Sequence, residues 1–326
     1  MNGDFKTAVI AIFIAFAVNI FICPVFIPFL HRLKFGQNVR DDGPQTHLKK
    51  AGTPTMGGLA ILLSFLVASV FFLKDNSEAI LLVLTTIGFG FIGFLDDYTK
   101  VVKKRSLGLT AKQKIIMQLL VSGIFLFFLM RMDNPADSYK VIKIPFIDFK
   151  WDMGILFYPF AVIFIIGFDN AVNLTDGLDG LASGVTVLVS TFFIFASQAA
   201  GSGILPITGA AVGSLMGFLI FNTYPAKVMM GDTGALALGG FVAAVAIMLK
   251  SPLYLVLVGF IYVAEAASVI IQVLYFKATK GKRFFKMAPL HHHFEMLGNS
   301  ETKVVSIFYI TTAMLCLVGY LAGGVN

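Results

Sequence analysis

The chain has 326 residues, 57% of them hydrophobic and only 13% charged, with a formal net charge of +7. Soluble domains carry about 25% charged residues, so this composition, with a mean hydropathy of +0.86, excludes a soluble globular protein. No polar stretch is long enough to bury a core of its own, and residues 1–326 read as a single polytopic membrane domain.

Ten apolar runs approach or exceed the roughly 20 residues that cross a bilayer as a helix. They cover residues 8–30, 56–73, 79–95, 114–130, 154–169, 181–200, 204–222, 233–249, 252–276 and 304–323. The predicted fold is therefore all-α, with about ten transmembrane helices. The first run is longer than the apolar region of a secretion signal and lacks a clear cleavage site, so it reads as the first span. The fifth runs into Asp169, and a short break at Lys250 to Pro252 separates the eighth from the ninth. Between the fourth and fifth, residues 132–151 alternate enough to suggest a hairpin in an outer loop. Cys23 and Cys316 lie in apolar runs near opposite ends and read as small hydrophobes, not as a disulfide or a metal knuckle.

Loops after odd-numbered spans hold 18 of the 25 lysines and arginines. Positive charge marks the cytoplasmic side, so those loops face the cytoplasm and both termini face outward. The basic loops are an ordinary topology signal, and no nucleic-acid partner is expected. Asp41, Asp42, Asp96, Asp97, Asp176, Asp179, Asp232 and Glu295 fall on the same side, which the topology signal does not explain.

Five cytoplasmic segments carry the candidate chemistry. "RDDGPQTHLKKAGTPTMGG", residues 40–58, offers tight exposed backbone with Lys49, Lys50, Thr53 and Thr55 as donors for phosphate oxygens, or plain helix capping. "GFLDDYTKVVKK" places Asp96 and Asp97 at the end of an apolar run, where the helix dipole disfavours negative charge. They could bind a divalent cation, act as a base, or pair with Lys100 or Lys103. In "DNAVNLTDGLDGLA", Asn170, Asn173, Asp176 and Asp179 recur every three residues, a spacing that brings side chains together on a helix. In "FNTYPAKVMMGDTGALALGG", Asp232 precedes an apolar helix that it could cap, and Ala235, Gly239 and Ala243 form a stripe for close packing. In "MAPLHHHFEMLG", His291, His292 and His293 point apart, so phosphate binding or proton handling suits them better than one zinc site. Together the acids expect a divalent cation, and the cation expects phosphates. No Walker A loop or dinucleotide fingerprint is present. Glu265 is the one acid deep within a span. Two uses are open for it: a hydrogen bond to a neighbouring span, or a place beside a groove for a lipid substrate.

The motifs "GTPTMGG", "FLDDYTK", "NAVNLTDGLDGLA", "MGDTGALALGG" and "PLHHHFE" resemble the bacterial phospho-N-acetylmuramoyl-pentapeptide transferases. These belong to the polyprenyl-phosphate N-acetylhexosamine-1-phosphate transferase superfamily. The resemblance implies transfer of phospho-MurNAc-pentapeptide from UDP-MurNAc-pentapeptide to undecaprenyl phosphate, giving lipid I and UMP with Mg²⁺ as cofactor. It implies a multi-pass protein of the bacterial plasma membrane with its active site facing the cytoplasm, and a homodimer on resemblance alone. It makes Asp96 the proposed base and Asp232 the metal-binding aspartate, with Asp97, Asp176 and His291 in the catalytic set. Lys50, Thr55, Lys112, Asn170, Asn173, Asp179, Asn222, His292 and His293 match positions tied to nucleotide or phosphate handling. The family often has an aromatic residue three before the metal aspartate, whereas this chain has Met229.

Three rivals compete with this reading. The same superfamily includes enzymes that use UDP-N-acetylglucosamine as donor. A secondary transporter would use acids inside its spans, but most acids here lie at loop edges. A lipid-phosphate phosphatase would release phosphate, not UMP.

Overall fold

The computed structural model describes residues 4–32, 52–101, 108–147 and 149–324. Lys50 lies outside the described residues. Among them, twelve α-helices and one two-stranded hairpin form the chain. The helices are α1 (Phe5–Arg32), α2 (Gly58–Val70), α3 (Ser77–Val101), α4 (Ala111–Arg131), α5 (Phe157–Thr175), α6 (Leu181–Ala199), α7 (Leu205–Asn222), α8 (Gly231–Met248), α9 (Pro252–Val258), α10 (Phe260–Ala278), α11 (Leu290–Met296) and α12 (Glu301–Gly319). The hairpin pairs β1 (Val141–Lys143) with β2 (Lys150–Asp152), antiparallel, in the segment expected to form it.

Nine of the described helices are long and apolar enough to cross a membrane, so the all-α multi-pass expectation holds. The second and ninth expected spans come out differently. α2 has 13 residues, about 20 Å of helix at 1.5 Å per residue, against a hydrocarbon core of about 30 Å. The ninth run divides at Gly259 into α9 and α10. Two further boundaries bear on the site. α3 continues past Leu95 to Val101, so Asp96 and Asp97 lie inside a helix and not at its end. α5 continues to Thr175, so only Asn170 and Asn173 of the four spaced polar residues are helical.

α8 is the axis of the bundle. It packs against α2, α3, α5, α6 and α9, and 89% of it is buried. Its apolar surface is continuous because a helix enclosed on all sides has no wet face to keep polar. Ala235, Gly239 and Ala243 are all buried, as the stripe predicted. α1 and α2 pack on α7 to one side, and α10 and α12 lie toward the periphery.

The two ends of the bundle are held by different polar contacts. At one end, Glu78 at the start of α3 accepts from the Tyr139 hydroxyl at 2.9 Å, the Ser202 hydroxyl at 2.8 Å and the Gly203 N–H at 3.1 Å. Lys250, just past α8, pairs with Asp137 on the same end. The candidate site occupies the other end.

Candidate active site

The site forms where α3 and α5 end and α4 and α8 begin. Lys100 is its hinge. Its Nζ lies 2.6 Å from Asp96 Oδ2, one turn back on α3, and 2.7 Å from Asp232 Oδ2 on α8. Asp232 also accepts from Asn173 Nδ2 at 2.8 Å, and Lys114 Nζ of α4 stands 3.6 Å from its Oδ2. Lys114 Nζ in turn reaches Asn173 Oδ1 at 3.4 Å. Four helices thus meet on one carboxylate. The other oxygen of Asp96 accepts the Leu109 N–H at 2.6 Å, which fixes the lead-in to α4.

Asp97 takes a different part. Its Oδ1 accepts the Asp232 N–H at 3.2 Å, and its Oδ2 accepts the Thr233 N–H at 2.8 Å and the Thr233 hydroxyl at 2.6 Å. These are the orphan N–H groups at the start of α8. The cap of α8 is therefore supplied by α3, and Asp232 is the second residue of the helix instead of its cap. A carboxylate at that end also suits the positive pole of the helix dipole.

Such closeness requires bare backbone. A Cβ on Gly93 would lie 2.1 Å from the Asp232 carbonyl oxygen, and one on Gly58 would lie 2.1 Å from the Gly234 nitrogen. The lead-ins to α2 and α8 run side by side, with Gly57 N–H donating to Met229 O at 2.9 Å, Gly58 N–H to Met230 O at 2.8 Å, and Met229 N–H to Pro54 O at 2.8 Å. Thr55 sits here. Its Oγ1 and Asp97 Oδ2 both crowd the α-carbon of Gly231, where a Cβ would lie 2.7 Å and 2.8 Å from them. Met229, at the position where an aromatic was expected, is buried in this junction.

A second polar layer lies one turn deeper. Gln118 Nε2 donates to Asp169 Oδ2, and Gln118 Oε1 accepts from Asn170 Nδ2 at 3.2 Å. Gln118 follows Lys114 by four residues, and Asn173 follows Asp169 by four, so both layers use the same helix faces. Lys114, Gln118, Asp169 and Thr233 do not stand out as site residues in the sequence. The available signal is the polar stripe Lys114, Gln118 and Ser122 along the otherwise apolar α4.

The remaining candidates divide between this cluster and its surroundings. Asp176 ends α5, three residues beyond Asn173, and is half-buried. Asp179 Oδ2 accepts the Ala226 N–H at 2.9 Å, and its own N–H donates to Glu301 at 2.7 Å. Asn222 is buried, accepting from Ser183 Oγ at 2.8 Å and donating to Val228 O at 2.9 Å. Both tie the α7–α8 connection in place. Lys112 is exposed on the first turn of α4. The three histidines point three ways. His291 pairs with Glu265 at 3.0 Å, His292 with Glu295 at 2.9 Å, and His293 Nδ1 accepts the Lys286 N–H at 3.2 Å. Glu265 thus bonds to the short helix α11 and not to a neighbouring span.

The cluster suits a hard cation. Asp96 Oδ2 and Asp232 Oδ2 already converge on one positive centre, the Lys100 ammonium. Asp96 and Asp232 face Lys100 and Lys114 across it. Among the described residues no group of three or more His, Cys, Asp or Glu side chains is placed to hold a metal. Mg²⁺ needs only one or two carboxylates when phosphates and water complete its shell. Asp96 and Asp232 are the residues that fit it.

Comparison with known proteins shows the family. A profile described as glycosyl transferase family 4 matches residues 79–250, which contain most of α3 and all of α4 to α8. A signature of the phospho-N-acetylmuramoyl-pentapeptide-transferases matches residues 50–62. Proteins of that name are similar along nearly the whole chain. The one from Clostridioides difficile (strain 630) is 52% identical over 311 residues, covering 95% of each chain. That from Clostridium kluyveri is 51% identical over 314 residues, covering 96% of this chain and 98% of its own. That from Caldicellulosiruptor bescii is 50% identical over 311 residues, covering 95% of each. The chain belongs to this transferase family. The phospho-N-acetylmuramoyl-pentapeptide-transferase signature falls on the lead-in to α2, the segment whose backbone pairs with the lead-in to α8 beside Asp232.

Proposed function

We propose that this membrane transferase moves phospho-MurNAc-pentapeptide from UDP-MurNAc-pentapeptide to undecaprenyl phosphate, forming lipid I and UMP. The observation that carries the reading is the meeting of Asp96, Asp232 and Asn173 with Lys100 and Lys114 at one end of the bundle. Such a cluster at a membrane edge can hold a diphosphate while a lipid phosphate approaches from the bilayer. The basic loops support a cytoplasmic position for this end in a bacterial cell, with the chain in the plasma membrane.

Attack of one phosphate on another is opposed by their charges. Mg²⁺ held by Asp96 and Asp232 would neutralise the diphosphate and stabilise the leaving UMP, a role worth several kcal/mol. Lys100 and Lys114 are placed to meet phosphate oxygens when a cation takes the two carboxylates. Asn173 orients Asp232, and Asp97 holds α8 so that Asp232 cannot swing away. A base is of little use here, since a phosphate monoester's second pKa is about 6 and its proton is mostly gone at pH 7. Both oxygens of Asp96 are engaged, one by Leu109 and one by Lys100. That supports holding and positioning over proton abstraction.

The test uses the purified protein in detergent with Mg²⁺, undecaprenyl phosphate and either UDP-MurNAc-pentapeptide or UDP-N-acetylglucosamine. Mass spectrometry should find the lipid-linked muramoyl pentapeptide and UMP with the first donor only, and chelation should stop the reaction. Product from UDP-N-acetylglucosamine alone would reassign the donor. Free phosphate without UMP would make the protein a phosphatase.

A further inference from the structure

The hairpin between α4 and α5 turns apolar side chains outward at the end opposite the site. It is tied down at several points. The Phe146 N–H donates to the Ala322 carbonyl oxygen at 3.2 Å, just past α12, and the Lys143 N–H donates to the Lys250 carbonyl oxygen at 2.8 Å, between α8 and α9. The Tyr254 hydroxyl also donates to Ala322 O, at 2.6 Å. Gly154, two residues beyond β2, begins the spanning segment that contains α5. The hairpin therefore touches the ends of three spanning segments and lies level with the boundary of the bilayer.

Its side chains divide by face. The register sets Ile142 opposite Trp151 and Lys143 opposite Lys150, and directly opposed residues share a face of the ribbon. Ile142 is buried in the core, so the first pair faces the protein, with Trp151 on the outer strand reaching into the open. Beyond the strands, Phe146, Ile147 and Phe149 are 67%, 61% and 56% exposed. Phe146 has φ +67°, in the left-handed region that bulky residues avoid. The fold thus keeps a costly backbone conformation with the ring turned outward.

Three large apolar side chains within four positions form a patch, and such patches mark surfaces that another phase or partner covers. What adjoins the patch identifies the cover. A cleft of about 580 Å³ runs between the tip and the end of α12, lined by Lys143, Phe146, Phe149, Lys150, Tyr254 and Leu321. Leu321 is exposed and continues the exposed stripe Ile307, Ile310, Met314 and Leu317 along α12. Residues at this spacing share one side of a helix, and on a peripheral spanning helix that side meets lipid. The patch is one end of this surface. Aromatic rings with lysines beside them settle at the level of lipid headgroups, rings toward the chains and ammonium groups toward phosphate.

We propose that the hairpin tip, formed by Phe146, Ile147 and Phe149 with Trp151 and the two lysines behind it, is an interfacial membrane contact. It sits among the headgroups and upper acyl chains of the leaflet opposite the site. Its partner is a lipid surface, and the contact does not depend on the transferase reading.

Trp151 is the single tryptophan of the chain, so its fluorescence reports on the hairpin alone. The test uses the full-length protein in phosphatidylcholine vesicles. Trp151 is read in the wild type, and the tip is read by Phe149→Trp in a Trp151→Phe background, with Ile147→Trp in the same background as a second tip position should the first variant fail to fold. Emission is quenched in turn by lipids brominated near the glycerol, by lipids brominated near the chain ends, and by iodide present on both sides of the vesicle. The expected result is a larger loss of emission with the shallow bromine than with the deep bromine or with iodide, at Trp151 and at the tip. Stronger quenching by iodide than by brominated lipid would overturn the proposal and leave the patch to a water-borne partner. Protection from both quenchers that is lost on dilution into excess lipid would also overturn it, by making the patch a contact between copies. Protection at every dilution would overturn it as well, since the tip would then be covered by its own chain.

Discussion

Asp232 is where single atoms matter most, because its carboxylate faces two ammonium groups and one amide from three other helices. Asp232→Asn removes that charge without changing shape. We expect turnover to fall by about 100-fold or more, the scale of losing one preorganised electrostatic contact. UMP release checks this, with the melting temperature as control; near-normal turnover in a folded variant would remove Asp232 from the site. Lys114→Met belongs to the same scale. It should lower turnover at least about tenfold, as expected for a charge-assisted contact, because Lys114 carries the charge of α4 to Asp232. Thr233→Val tests the capping contact. It removes one of the three donors on Asp97, and should cost about 1 kcal/mol of stability with a smaller effect on rate, measured by thermal unfolding in detergent.

At the scale of elements, α3 and α8 touch backbone to backbone at Gly93. Gly93→Ala would push a methyl into the Asp232 carbonyl. Overpacking of this kind typically costs about 1–3 kcal/mol, and here it also moves the residue that carries the site. We expect a lower melting temperature together with lost transfer, and activity at the wild-type level would show that α8 can shift without harm. This contact also shows what the sequence could reveal and what it could not. The spans were legible because bilayer length and apolarity are local properties. Asp96, Asp232 and Asn173 were legible because polar residues at span edges are conspicuous. The capping of α8 by Asp97 was not, because the two residues lie more than a hundred positions apart and either acid of the pair looked equally suited to the site. Lys114 was hidden among cytoplasmic lysines whose topology signal explained them already. The shortness of α2 was hidden too, since residues 71–73 continue the apolar run after the helix has ended.

Across the whole molecule, the end opposite the site is held by hydrogen bonds more than by charge. Burial, with Glu78 beside it, pushes the Tyr139 hydroxyl above its ordinary value. A hydroxyl shifted upward contributes stability below its unfolded pKa and loses it as pH rises through the folded one, so this contact is steady at neutral pH. Tyr139→Phe should cost about 1 kcal/mol and leave transfer unchanged below the melting temperature. Impaired transfer in a stable variant would mean the two ends are coupled. The Asp137 carboxyl is lowered by its bond to Lys250. Its contribution is present above the unfolded pKa and fades as pH falls through the folded value. The side chain is 83% exposed, so Asp137→Asn should change stability by less than about 0.5 kcal/mol, as thermal scans at neutral and acid pH would show.

The pairing of Asp96 with Lys100 also has a meaning for how the protein is made. A ribosome releases α3 more than a hundred residues before α8, and chains fold from the N-terminus as they emerge. During that interval Lys100 has no Asp232 to meet. The i,i+4 pair on α3 gives the Lys100 ammonium a partner on its own helix from the start, whereas Asp97 meets its three donors only when α8 arrives. The arrival of α8 then turns a local pair into a shared one, and the reactive centre comes into being only when most of the protein is already in place.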